Sequence, residues 1–170
     1  YNVVVGDEAG TAITTGDYNV GVGYAANLSV VTTSGNTAIG STSGKYVTGA
    51  NNTHVGYAAG QGISGVLAAG DYNTTVGASA GLSLQGTATQ NTLIGALAGD
   101  ALTTGSDNTV VGKSALSAGA ASFYNTAIGH NALAADTTGR LSVAVGRNAL
   151  AAQDNTSSAN MYNTAVGSGA

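Results

Sequence analysis

Hydrophobic and polar positions along this chain follow one pattern that recurs about every 17 residues, within the range of known repeat proteins. Its anchor reads Asn-Thr-x-Val/Ile-Gly, and the spacings between successive anchor glycines are 17, 17, 16, 21, 18, 17, 17, 17 and 21. The ten anchors span 2–6, 19–23, 36–40, 52–56, 73–77, 91–95, 108–112, 125–129, 142–146 and 163–167. A fixed period of this kind indicates a repeat architecture in which each unit is one small structural element.

The anchor itself predicts a β-strand. With Asn as position 1, position 2 is Thr or Val and position 4 is Val or Ile in all ten copies, whereas position 3 varies. β-Branched residues alternating with a variable residue are typical of a strand with one buried face, so we expect positions 2 and 4 to point inward and position 3 outward. Asn at position 1 and Gly at position 5 would end the strand, because both tolerate left-handed backbone angles. A constant Ala or Ser at position 8 predicts a close approach of two backbones.

The second half of the repeat has two forms, which we interpret as two ways of filling one slot in the core. In the first six copies position 9 is Gly or Asn, and position 12 is apolar: Ile13, Val30, Val47, Ile63, Leu84 and Leu102. In the next three copies position 9 is apolar and position 12 is small or polar: Leu116 with Gly119, Leu133 with Asp136, and Leu150 with Gln153.

Composition narrows the architecture. The chain is 43% hydrophobic with a net charge of -4, which favours an ordered protein, and its apolar residues are mostly Ala and Val, which suit a thin core. Only 7% of residues are charged, so we expect some outer faces to be covered by other chains. Cys is absent, which excludes disulfides, and the few scattered basic residues argue against nucleic acid as a partner. No apolar run approaches the length of a membrane span, so we expect no membrane insertion.

These observations predict an all-β fold, a parallel β-solenoid of about ten coils with two short strands per coil. Stacked at about 4.8 Å per coil, the coils would form a rod on the order of 45 Å long. Residues 1–170 are expected to be a single repeat segment of a longer fibrous chain. The position 3 face, small or apolar in most copies, is the predicted interface of a parallel homotrimer, with these candidates: Ala38, His54, Leu93, Val110, Ala127 and Ala144.

The repeat resembles the head repeats of YadA-like trimeric autotransporter adhesins, as in Asn-Thr-Ala-Ile-Gly followed by x-x-Ala or x-x-Ser at 36–43 and 125–132. The residues that carry the resemblance are Asn36, Ile39, Gly40, Asn125, Ile128, Gly129 and Ala132. The longer form at 129–139 is similar to repeats of bacteriophage tail fibre and tailspike shafts. The resemblance implies a left-handed β-roll in an intertwined or side-by-side homotrimer. The repeat of this chain is longer than the adhesin repeat, which favours the phage setting.

Candidate chemistry is sparse, and we expect neither enzymatic activity nor a cofactor or metal. Asp17 and Asp71 lie in Gly-Asp-Tyr-Asn turns, where they could bind calcium, although capping of backbone amides is favoured. His54, at position 3, would converge with its copies on a trimer axis and could hold a metal or an anion there, but a packed neutral His is favoured. His130 is expected to face solvent.

Tyrosines are the candidates for receptor contact. Tyr18, Tyr72, Tyr124 and Tyr162 each precede an anchor and could stack on sugars, although sealing a seam between subunits is the favoured interpretation. The two longest coils carry extra residues at 60–71 and 151–162, which are the candidates for binding specificity.

The function expected from these features is a structural shaft or attachment segment of a trimeric phage tail fibre, located in a virion tail fibre or on an extracellular surface. Its partners would be two further copies of the chain and a host receptor or glycan. The head of a bacterial trimeric autotransporter adhesin is the alternative. An ice- or carbohydrate-binding solenoid is disfavoured, because ice binding needs an exposed Thr row and the Thr row at position 2 is predicted to point inward.

Overall fold

The structure, a computed structural model, describes residues 1–66, 68–154 and 160–170, and within them it is an all-β solenoid. Each anchor forms one short strand, and the ten strands make a single parallel sheet in chain order, which confirms the predicted fold class. The strands are β1 Val3–Val5, β2 Val20–Val22, β3 Thr37–Ile39, β4 Thr53–Val55, β5 Thr74–Val76, β6 Thr92–Ile94, β7 Thr109–Val111, β8 Thr126–Ile128, β9 Val143–Val145 and β10 Thr164–Val166.

The strands stack with equivalent positions in register. Thr37 pairs with Thr53, and Thr53 pairs with Thr74 although the coil between them is one of the two longest. The extra residues of the long coils therefore lie outside the sheet. In-register stacking places each side chain above its equivalent at about 4.8 Å, so every position of the repeat becomes a row along the rod.

The prediction of which strand face is buried was wrong. Position 3 is the inward position: Leu93 and Val110 are fully buried, whereas Ile94 at position 4 is 38% exposed. Inside the coil, position 3 faces the constant small residue at position 8, and Ser43 Oγ donates a 2.8 Å hydrogen bond to the backbone oxygen of His54. The interior is narrow at this level, which explains the four Ala residues and the one Gly at position 3.

This reversal also corrects the predicted trimer interface. The six candidates are at most 1% exposed within their own chain: Ala38, His54, Leu93, Val110, Ala127 and Ala144. Because their side chains are covered by their own coils, they cannot contact a second subunit. The convergence of three His54 side chains on a trimer axis is excluded for the same reason.

The second half of each coil does not form the second strand that was predicted. It consists of turns, with isolated parallel bridges such as Val47 to Ala68 and Phe123 to Arg140. Backbone hydrogen bonds still join neighbouring coils there, for example from Thr14 N to Val31 O at 2.9 Å. Gly-rich turns thus replace a strand without leaving the coils unconnected.

The two forms of the second half fill one slot, as predicted. Leu116 and Leu133 at position 9 are fully buried, and so is Leu102 at position 12. A Cβ added to Gly119 at position 12 would lie 2.7 Å from Leu116 Cγ, so the two positions compete for the same space. Ile63 is the exception, because it lies among the extra residues of a long coil and is 41% exposed.

Glycine at position 5 has a backbone that other residues rarely adopt. Its φ lies between 128° and 138° in all ten copies. A Cβ at Gly95 would also lie 2.6 Å from the carbonyl oxygen of Gly112 in the next coil. Strain and close approach together account for the constancy of this residue.

Candidate functional site: the outer strip of the sheet

The side chains at positions 2 and 4 of the ten strands form a continuous surface, which we call the outer strip. Its position 2 column consists of Val3, Val20, Thr37, Thr53, Thr74, Thr92, Thr109, Thr126, Val143 and Thr164. Its position 4 column consists of Val5, Val22, Ile39, Val55, Val76, Ile94, Val111, Ile128, Val145 and Val166. These side chains are half-buried or exposed and none is charged. An uncharged apolar surface of this length is typical of an interaction site.

The outer strip is a regular two-column lattice. Six successive Thr residues, from Thr37 to Thr126, are paired strand to strand without a register shift. Rows repeat at about 4.8 Å along the rod, and the two columns lie about 7 Å apart because two residues of extended chain separate them. The Thr row was expected inside the coil; it lies outside, which removes the reason for disfavouring an ice-binding solenoid.

The four candidate receptor-contact tyrosines are exposed, between 56% and 69%: Tyr18, Tyr72, Tyr124 and Tyr162. Each has a left-handed backbone just before its strand, with φ between 49° and 59°. They stand three or two coils apart, so the structure does not bring these four rings together. Tyr18 stacks instead on Tyr1 of the preceding coil, with ring centroids 5.4 Å apart and 11° between the ring planes. Their contact with a receptor stays a prediction.

A buried ladder of asparagines lies at position 1, beside the outer strip. Asn36 is fully buried; its backbone N–H donates to Asn19 Oδ1 at 2.9 Å, and its Nδ2 donates to Gly49 O at 2.9 Å. Asn52 continues the ladder by donating its backbone N–H to Asn36 Oδ1 at 3.0 Å. These asparagines do not have left-handed backbones, so the predicted reason for Asn was wrong. The recurrence of Asn in nine of the ten copies, with no Gly or Asp in its place, was the signal for a side-chain ladder.

The ladder changes partners where Ser142 replaces Asn. Gln153 donates from Nε2 to Asp136 Oδ2 at 2.7 Å and to Ser142 Oγ at 3.3 Å, and its Oε1 accepts from Asn163 Nδ2 at 2.8 Å. Asp136 is fully buried. The polar residues at position 12 of the second form therefore have partners in the core, a role that the sequence did not reveal.

The remaining chemical candidates have local partners. Asp71 Oδ1 accepts a 2.6 Å hydrogen bond from the backbone N–H of Ala50, which confirms the predicted capping role for that residue. Asp17 Oδ1 lies 3.4 Å from the terminal ammonium of Tyr1. His130 is exposed, as expected. Within the described ranges, no three His, Cys, Asp or Glu side chains gather into a possible metal site.

His54 is packed and fully buried, and its neutral state was the favoured expectation. Its Nδ1 forms a 2.9 Å hydrogen bond with Thr75 Oγ1, and its Nε2 has no hydrogen-bond partner. Burial lowers the pKa of His54 from 6.5 to about 4, because the apolar surroundings disfavour the charged imidazolium. His54 is therefore neutral at pH 7.

The extra residues of the first long coil form an exposed turn. Val66 N donates to Ile63 O at 3.1 Å, and both apolar side chains face solvent. The second long coil was also predicted to carry specificity, but its residues 155–159 lie outside the described residues.

Comparison of the chain with protein-family models, with curated proteins and with solved structures gave no match. In the portion of the chain that the structure describes, no helix is long and apolar enough to cross a membrane.

Proposed function

We propose that this chain is a rigid shaft segment of a homotrimeric fibre of the phage tail-fibre type, which takes part in attachment to a host. The observation that carries the proposal is the outer strip, a ten-row uncharged surface of Thr, Val and Ile on a protein with few charges. The trimer forms through positions 2 and 4, in place of the position 3 residues expected from the sequence. A bacterial trimeric adhesin head would use the same surface and is the alternative setting.

Repetition makes this surface suited to self-association. Val76, Ile94, Ile128 and Ile39 are between 36% and 42% exposed in the single chain. Covering the remaining surface of such a side chain contributes about 1 kcal/mol, since complete burial contributes about 1.5–3 kcal/mol. Each coil repeats the same small contribution, so three parallel rods in register gain from every row. Closed cyclic symmetry then satisfies all three strips equally.

In such a fibre the exposed tyrosines contact the host surface or the neighbouring subunit. Their rings are apolar on the face and polar at the hydroxyl, which suits both a sugar and a subunit seam. Tyr18 and Tyr72 lie just before strands β2 and β5, next to the outer strip, and a trimer through that strip brings the tyrosines close to neighbouring subunits.

The oligomeric state tests the proposal. Native mass spectrometry and light scattering at micromolar concentration are expected to give the mass of three chains. Replacing Ile94 and Ile128 by Lys should give a monomer with unchanged far-UV circular dichroism, because both side chains point away from the core. Thr104→Lys, an exposed change outside the strip, should leave the trimer intact. A wild-type chain that stays monomeric at all concentrations contradicts the trimer.

A second function, binding of an ice surface, is favoured by one specific observation, the outward Thr column. Rows of Thr hydroxyl and methyl groups beside rows of Val and Ile methyl groups can order water in a repeating layer, and no charge interrupts the two columns. The two functions exclude each other in one assembly, because a strip buried in a trimer is not open to ice.

Ice affinity is measured separately. If the chain is a monomer and depresses the growth temperature of ice crystals below their melting temperature, the strip binds ice. Thr92→Lys should then abolish the effect, and Thr104→Lys should leave it unchanged. A trimer without any effect on ice growth eliminates this second function.

A further inference from the structure

A small cavity lies at the level of the fourth coil and is lined by residues of the third, fourth and fifth coils. The cavity has a volume of about 10 Å³. Its lining includes Val47, His54, Ala68 and Leu84. This volume is about what a single water molecule needs. None of the residues that line the cavity carries a formal charge at pH 7, since His54 is neutral.

The cavity exists because the residues stacked at this point are unequal in size. In the stack of coils, Ala68 pairs with Val47 on one side and with Gly86 on the other. The side chain at this point therefore decreases from the isopropyl group of Val47 to the methyl group of Ala68 and the hydrogen atom of Gly86. Ala68 and Gly70 of this long coil line the cavity, and their side chains, a methyl group and a hydrogen atom, are too small to fill it.

The ring of His54 is in contact with neighbours on most of its edges. Nδ1 is bonded to Thr75 Oγ1 at 2.9 Å. A Cβ at Gly60 would collide with Nδ1 and Cε1, and a Cβ at Gly44 would lie 3.1 Å from Cδ2. Nε2 is the ring nitrogen that none of these contacts involves. It is buried and has no hydrogen-bond partner, and His54 is one of the residues that line the cavity.

We propose that this cavity is a binding site for one water molecule, held by His54 Nε2 and the side-chain amide of Gln85. A buried polar atom without a partner is rare, and water is the ligand of matching size. Gln85 lies in the wall of the cavity. The other polar residues of the wall belong to the ladder: Asn52 Oδ1 accepts from Asn73 N at 2.8 Å, and Asn73 Nδ2 donates to Ala88 O at 2.7 Å.

Water satisfies His54 whichever ring nitrogen carries the proton. If Thr75 donates its hydroxyl proton to Nδ1, then Nε2 carries a hydrogen and the water accepts it. If Nδ1 carries the hydrogen and donates to Thr75, the water donates to Nε2. The site does not depend on the oligomeric state or on the proposed function, because all the residues that line it belong to one chain.

A high-resolution crystal structure of the wild-type chain at pH 7 tests the proposal directly. Density for one water within hydrogen-bond distance of His54 Nε2 and of Gln85 is expected. In solution, a cross-peak between the His54 ring protons and a long-lived water should appear in a nuclear Overhauser spectrum. An empty cavity, or Nε2 bonded to a protein atom, overturns the proposal.

Two variants separate the water from the fold. Ala68→Val fills the room with two methyl groups and should remove the cross-peak while the far-UV circular dichroism stays that of wild type. Gln85→Leu removes the second partner and should shorten the residence time of the water, with the His54–Thr75 hydrogen bond retained. A cross-peak of unchanged intensity in folded Ala68→Val would place the water elsewhere and contradict the proposed site.

Discussion

Each buried asparagine of the ladder connects neighbouring coils. Asn108 Oδ1 accepts from Asn125 N at 3.1 Å, and its Nδ2 donates to Ser122 O at 2.8 Å. No apolar residue can replace these bonds, and water does not reach the groups that would lose them. The ladder is therefore a stabilising feature whose strength depends on burial.

Asn108→Ala is expected to lower the free energy of unfolding by about 1–3 kcal/mol for each buried group left without a partner. Asn2→Ala is the matched control, because Asn2 makes the equivalent bonds to Asn19 N and Gly16 O but is exposed. Its loss should cost less than about 1 kcal/mol, since water replaces it. Urea unfolding followed by circular dichroism measures both, and equal losses would show that burial does not set the strength of the ladder.

His54 makes stability depend on pH. Its pKa is about 4 when folded and 6.5 in the unfolded chain, so only the unfolded state binds the proton between these values. The free energy of unfolding has its full value above pH 6.5 and falls as the pH drops towards 4, by about 1.4 kcal/mol per pH unit and about 3 kcal/mol in total. Below pH 4 this contribution does not fall further.

The measurement is urea unfolding between pH 7 and pH 4 for wild type and His54→Leu, a residue that coil six already has at position 3 as Leu93. The difference between the two proteins isolates His54 from the carboxylates. A His54→Leu protein with the same pH slope as wild type would show that His54 is not the group that titrates.

Single residues also show why the site was only partly predictable from the sequence. The alternation of β-branched and variable residues at positions 2 to 4 reveals a strand, but it does not show which of the two strand faces is buried. β-Branched residues suit an outer face as well as a core. The size of Gly21 and Ala38 at position 3 was the clue to a narrow interior. The polar residues His54 and Thr75 in the same row obscured this clue, because polar side chains suggest an outer face. In the structure they are buried and hydrogen-bonded to each other. The Thr, Val and Ile of the strip were thus recognised but assigned to the wrong side.

At the scale of the structural element, the second half of the coil was predicted more accurately than the strand faces. A coil has a large apolar residue at position 9 or at position 12 because the two side chains occupy the same space. This relation can be read from the sequence without knowing which face of the strand is buried. The left-handed backbone at position 9 was not evident. Leu116 has a φ of 49° there, so the second form places a large side chain on a backbone that favours Gly.

Exchange of the two forms is a direct test at this scale. Leu116→Gly opens a cavity and should cost about 2–5 kcal/mol, and Gly119→Leu should also destabilise because its Cβ lies 2.7 Å from Leu116 Cγ. The double variant recreates the arrangement of Gly99 and Leu102 in the preceding coil. It should be more stable than the sum of the single losses predicts, by about 0.5–3 kcal/mol. Thermal unfolding of the four proteins measures this coupling, and strict additivity would contradict a shared slot.

At the scale of the whole molecule, stability is built from contacts between neighbouring coils. Each strand has contacts only with the strands before and after it, and the register is the same at every step. A protein of this kind gains stability coil by coil, and its coils are interchangeable units. The period of the coils and the order of the strands could be predicted from the sequence for this reason.

Deletion of residues 96–112 removes one complete coil between equivalent positions, because Gly95 and Gly112 are both position 5. The shortened chain should fold with the register of the remaining strands preserved, and its rod should be shorter by about 4.8 Å. Deletion of residues 96–103, about half a coil, should abolish cooperative unfolding, because all later strands lose alignment with the first six. Circular dichroism and calorimetry distinguish the two, and similar damage from both deletions would contradict coil-by-coil stability.

The direction of the asparagine ladder has a consequence for synthesis on the ribosome. In the ladder bonds between consecutive asparagines, the later residue donates its backbone N–H and the earlier residue supplies the accepting Oδ1, as from Asn19 to Asn2 and from Asn125 to Asn108. A nascent chain leaves the ribosome with its amino terminus first, so each new coil meets an acceptor that is already held in place. The ladder therefore favours coil-by-coil folding in the direction of translation.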